Sequence, residues 1–164
     1  MFKKSQAALE FLTTYAWAFL VILIMIGALV YFGILNPSRL LPDRCSFGSE
    51  FECLDFQIDY GTTGADGIIR ARLKNNVGDA IRIQTMTVTT EAVAGLSCTG
   101  DPIITDVWGV GEIRDFAFTG CDVAGVGFVA GEKGKVSIAV NYYAVRSGTD
   151  YAHEVNGEIF STLV

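Results

Sequence analysis

FLTTYAWAFLVILIMIGALVYFGIL, residues 11–35, runs for twenty-five positions without a charged side chain. As an α-helix it would be about 37 Å long, enough to cross a bilayer core of about 30 Å. Tyr15, Trp17 and Tyr31 stand toward its ends, where interfacial aromatics are expected. Upstream lie Met1-Phe2-Lys3-Lys4-Ser5 and then Gln6-Ala7-Ala8-Leu9-Glu10. Downstream, Asn36-Pro37-Ser38 closes the run, because proline disfavours helical geometry in the residue before it. The expected organisation is a leader at 1–5 and one helix at 6–36. Glu10, near the expected start, suits the positive end of the helix dipole. Gly27 and Gly33 are tolerated in an apolar helix. Lys3 and Lys4 place the N-terminus on the cytoplasmic side by the positive-inside rule, with everything after Asn36 outside.

Residues 37–52, punctuated by Pro37, Pro42 and Gly48, are expected to be a linker. From Cys53 onward the period changes to two. Leu54, Phe56, Ile58 and Tyr60 alternate with Asp55, Gln57 and Asp59; Ile69, Ala71 and Leu73 alternate with Arg70, Arg72 and Lys74. A third strand runs from Ile81 to Thr90 with two partly apolar faces. Cys98 falls in a Gly- and Thr-rich loop. Strands follow at 113–119 and 135–143, the latter with Val136, Ile138, Val140 and Tyr142 on one face, after a turn at 131–134. Residues 151–164 supply the last strand. Six or seven short strands with Gly-rich turns and no second helical period give an α+β chain. One long N-terminal hydrophobic helix is followed by an antiparallel, immunoglobulin-like β-sandwich at 53–164.

The bulk properties narrow the function. The chain of 164 residues has a mean hydropathy of +0.39 and a formal net charge of −6. Two of its twelve basic residues sit in the leader, so the body is more acidic still. An acidic body argues against nucleic acid, which needs a basic surface. The four cysteines, Cys45, Cys53, Cys98 and Cys121, all follow the helix. Two local disulfides, Cys45–Cys53 and Cys98–Cys121, are the simplest of three connectivities and agree with an outside location. A zinc site is the competing reading, weakened by the lack of a C-x-x-C pair and the distance of the lone His153 from any cysteine. Asp55, Asp59 and Asp66 lack EF-hand spacing and read as the wet face of a strand and its turn. Gly109-Val110-Gly111 and Gly125-Val126-Gly127 open no helix after a strand and read as loop glycines. No Ser/His/Asp or Cys/His set can be assembled, and neither an enzyme nor a cofactor is expected.

Three readings of the N-terminal segment remain. A secretory signal peptide has a shorter apolar run and a small-residue cleavage site. A single-pass anchor holding an extracellular binding module or adhesin explains the length and the lysines but not Gln6 and Glu10. The third is a resemblance: Lys3-Lys4-Ser5-Gln6-Ala7-Ala8-Leu9-Glu10-Phe11 is similar to the processing site of archaeal type IV pilin-like proteins with a class III signal peptide, the pilin and archaellin superfamily. Ala8 stands where that family often has serine. The resemblance implies cleavage between Ser5 and Gln6 by a prepilin-type peptidase, and extraction from the membrane by an assembly ATPase and a platform protein. Polymerisation through the N-terminal helices into a cell-surface filament for adhesion or motility would follow. Gln6 and Glu10 would then be assembly residues, the Glu10 carboxylate meeting the freed amino group of Gln6 in a neighbouring copy and setting register.

Overall fold

A computed structural model describes residues 3–32, 41–91, 95–102 and 106–164. Its first unit carries α1, Lys3–Tyr31. With no proline inside it, the helix satisfies its backbone internally, which is what a segment bound for lipid requires. Phe11, Trp17, Phe19, Met25 and Tyr31 are all more than 60% exposed. At 100° per residue these positions fall on every side of the helix, so α1 has no polar face. The helix begins three residues before the expected Gln6. Its expected end at 36 lies outside the described residues, as do Gly33 and Pro37.

The second unit is Pro42–Val164. Among its described residues are eight strands: β1 (Arg44–Ser46), β2 (Phe51–Asp59), β3 (Gly67–Asn75), β4 (Ile81–Thr89), β5 (Cys98–Gly100), β6 (Ile113–Cys121), β7 (Lys133–Ala144) and β8 (Ala152–Thr162). They form two four-stranded sheets, one ordered β1-β8-β7-β4 and the other β2-β3-β6-β5, with every ladder antiparallel. Period-two patterning puts Ile69, Leu73, Phe118, Val136, Ile138 and Val140 between the sheets with no exposed surface. Backbone bonds outside the ladders join the two sheets at one edge and β4 to the loop between β5 and β6 at the other. The end of β2 meets the end of β8 in parallel, with Tyr60 N donating to Val164 O at 2.8 Å and Val164 N to Ile58 O at 3.1 Å. At the other edge Ile81 and Trp108 exchange backbone bonds of 3.0 and 2.8 Å.

Four expectations are corrected. Residues 42–52 are not a linker: β1 pairs with β8, and Phe47 and Phe51 are each only 1% exposed. Phe51 stacks on Trp108 at 5.2 Å. Phe47 folds over Gly157, where a Cβ would fall inside its ring. Pattern reading missed this because β1 is only three residues long. In β2 the register shifts between Cys53 and Asp55, so Leu54 leaves the Phe56–Ile58 face and is 44% exposed. In β4 a shift between Ile83 and Thr85 explains the two apolar faces: Ile81 and Ile83 point inward before it, Met86 and Val88 after it. The loop around Cys98 contains β5, and the turn at 131–134 gives way to β7 from Lys133.

Candidate functional site

The segment expected to be cut is continuous helix. Ser5 and Gln6 lie inside α1, and their side chains fall outside the described residues. Glu10 is exposed and is the only charged residue between Lys4 and Arg39. It is the eighth residue of α1, and the first turn holds no acidic side chain. The dipole argument for Glu10 therefore fails on the uncut chain, since the effect dies away within one turn; Lys3 and Lys4 occupy the positive end instead, where they oppose it. The carbonyl of Glu10 accepts from Thr13 Oγ1 at 3.1 Å and Thr14 Oγ1 at 2.8 Å, so both hydroxyls have partners on their own helix. The 19 residues Thr13–Tyr31 have a mean hydropathy of 2.2, long and apolar enough to span a bilayer.

The four cysteines form two disulfides. Cys45–Cys53 joins β1 to β2, and so links the two sheets, with Cα atoms 6.0 Å apart. Cys98–Cys121 links the directly opposed residues of β5 and β6. Where the chain joins this unit, Asp43 accepts from Lys133 at 2.8 Å and from the Thr162 backbone at 3.2 Å. The Lys133 ammonium holds its carboxyl below the usual range. At the far end of the strands Asn75, fully buried, donates to the carbonyls of Asp79, Trp108 and Gly109 at 2.9–3.1 Å and accepts from Val77 N at 2.9 Å. Sequence reading saw in Asn75 only a turn residue; it is the polar hub that joins the β3–β4 and β5–β6 loops.

The outer face of the β2-β3-β6-β5 sheet carries a groove of about 600 Å³ lined by Asp55, Gln57, Arg70, Arg72, Asp115 and Ala117 with the backbone beneath them. Arg72 donates through Nε and Nη2 to both oxygens of Asp115, at 2.6 and 3.1 Å. That pairing raises the guanidinium and lowers the carboxyl from their ordinary values. Neighbouring Lys74 is held at 3.0 Å by Glu52, whose carboxyl is lowered by it. The Arg/Lys alternation on β3 was legible in the sequence; which carboxylates flank it depended on the register.

The other sequence candidates stay apart. His153 is exposed on β8 with its ring 5.7 Å from that of Tyr142. Among the described residues no three His, Cys, Asp or Glu side chains gather into a metal-binding group, Asp55, Asp59 and Asp66 included. Asp66 serves its own turn, accepting from the backbone and hydroxyls of Thr62 and Thr63 at 2.6–3.1 Å, which holds its carboxyl far below the usual range. Gly109 N donates to Glu112 and Gly125 N to Asp122, as loop glycines do. No protein-family model, curated protein or solved structure matches the chain.

Proposed function

We propose that this chain is the structural subunit of an archaeal type IV pilus-like surface filament, polymerising through α1. The observation that carries the reading is the lone Glu10 in a helix that is otherwise apolar on every side, two turns behind Lys3 and Lys4. Cutting between Ser5 and Gln6 would remove both cations from the positive helix end and leave Glu10 as the fifth residue. There it stands one turn from a new amino group and from the exposed helix N–H groups. A helix bundle would then replace lipid around Phe11–Tyr31, and a carboxylate enclosed in that bundle needs a cationic partner such as the Gln6 amino group of another copy. The β-domain would form the outer surface, hardened by its two disulfides.

The domain is read as immunoglobulin-like on its strand order. Taking β2 to β8 as strands A to G, one sheet is A-B-E-D and the other is C-F-G with β1 added at its edge. The likeness is one of topology, since the disulfides join β1 to β2 and β5 to β6 rather than the equivalents of B and F.

Mass spectrometry of the surface-exposed protein tests the reading, together with electron microscopy of sheared cell-surface material. A mature chain beginning at Gln6 and present in filaments is expected, with Glu10→Gln reducing filament yield at least tenfold while the precursor still accumulates in the membrane. Surface protein that retains Lys3 and Lys4 and forms no filaments would overturn it in favour of an anchored binding module.

A further inference from the structure

The outer groove has more specific chemistry than a solvated sheet face requires. Across the three strands the register gives two rows: Gln57, Arg70 and Ala117, then Asp55, Arg72 and Asp115. The two arginines lean to opposite sides. Arg72 is drawn to Asp115 on β6, whereas Arg70 Nη1 points to Gln57 Oε1 at 3.5 Å and Asp59 at 3.7 Å on β2. A slot opens between them, and Ala117 gives it a low floor.

Polar atoms facing this slot have capacity left. The Asp55 Oδ1 atom accepts from Phe56 N at 2.9 Å, and its second oxygen has no hydrogen bond among the described residues. Arg72 keeps Nη1 and Arg70 keeps Nε and Nη2, and the Gln57 amide nitrogen is also free to donate among these residues. Carboxylate acceptors and guanidinium and amide donors thus surround one slot of about 600 Å³, within the range of small-molecule sites.

The same inventory excludes most ligand classes. The lining sets two carboxylates, Asp55 and Asp115, against two arginines, Arg70 and Arg72, a balance that favours neither an anion nor a cation. Within the slot no aromatic or aliphatic wall stands: Phe116 is only 3% exposed, Phe56 packs against the core, and Ile68 and Ile113 stand in the flanking rows. Over the slot itself a peptide strand finds no backbone to pair with, because β3 beneath it is already paired on both sides. Vicinal hydroxyls match what remains: each both donates and accepts, and a neighbouring pair spans a planar carboxylate or guanidinium in the bidentate way. We infer that this slot binds a neutral saccharide, its hydroxyls donating to Asp55 and accepting from Arg70, Arg72 and Gln57. An open, charged, non-aromatic slot predicts weak binding, with Kd on the order of 1 mM. Many copies on one surface would multiply that into useful adhesion. The inference needs the β-domain to lie outside the cell and does not need polymerisation.

The test is saturation-transfer difference NMR on the full chain in a non-glycosidic detergent. The probes are methyl glucoside, methyl galactoside, methyl mannoside and N-acetylglucosamine at about 10 mM, roughly ten times the expected Kd, with glucuronate as the anionic comparison. Transfer to at least one neutral sugar is expected, falling at least fivefold in Asp55→Ala and in Arg70→Ala while the core amide resonances of Phe118 and Ile138 stay in place. Either no transfer to any neutral probe, or equal transfer in both variants, would overturn the saccharide site; stronger transfer to glucuronate would replace it by an anion site. Filament yield, read separately by microscopy, fails or holds independently of this result.

Discussion

Helix α1 and the β-domain place their apolar residues in opposite ways. Along α1, Trp17, Phe19, Leu23 and Met25 are all more than half exposed. In the domain, Ile58, Ile69, Ile138 and Ile159 have no exposure at all. The domain hides its apolar surface against itself, so its stability is an internal matter of packing, hydrogen bonds and disulfides. The helix cannot hide its surface alone, so lipid or other helices must complete it. A change in one unit should therefore be read in one assay and leave the other silent.

The strongest challenge to that separation is Gly157→Val. The new side chain would occupy the space of the Phe47 ring, which is itself only 1% exposed. We expect a loss of at least about 3 kcal/mol, seen as collapse of the β-domain unfolding transition in micelles, while the helical far-ultraviolet signal of α1 persists. Loss of both signals together would break the comparison. Smaller effects come from the disulfides. Replacing Cys98 and Cys121, 23 positions apart, by alanine should cost about 3.5 kcal/mol, and replacing Cys45 and Cys53, 8 apart, about 2.5 kcal/mol. Urea unfolding of each pair variant checks the order. A reversed order would mean that joining the two sheets through β1 and β2 outweighs the length of loop closed.

The smallest effect is in pH. Asp66 and Asp43 have folded-state pKa values below the ordinary 3.8, Asp66 because of the Thr62 hydroxyl and the Thr62 and Thr63 amides, Asp43 because of Lys133. A depressed carboxylate contributes stability that is complete above its unfolded value and is lost as pH falls through the folded one. The urea midpoint should accordingly be flat above about pH 5 and decline below about pH 4. Asp66→Asn should make that decline shallower, with the helical signal of α1 unchanged throughout.

Much of the domain was readable from period two alone. The alternation of Ile69, Ala71 and Leu73 with Arg70, Arg72 and Lys74, and of Val136 to Tyr142 on one face, matches the buried positions of β3 and β7. Where the reading slipped, a local irregularity was at work. The register shifts in β2 and β4 invert the face of every residue beyond them, and no pattern of apolar residues marks where an extra residue will be taken up. Short strands such as β1 and β5 carry too few residues to show a period. The simplest cysteine pairing coincides with the two bonds formed, because each links elements brought together by neighbouring ladders.

The sequence by itself determined what is local: a membrane-length helix with one carboxylate behind two lysines, and strands whose faces alternate with a period of two. Hydropathy and period are properties of consecutive residues, so no fold is needed to read them. Only the tertiary structure decided which strands are neighbours, that Phe47 and Phe51 belong to the core, that Asn75 gathers two loops, and that Arg70 and Arg72 diverge around a slot. Each of these depends on residues far apart in the chain, and strand register alone brings them within reach of one another.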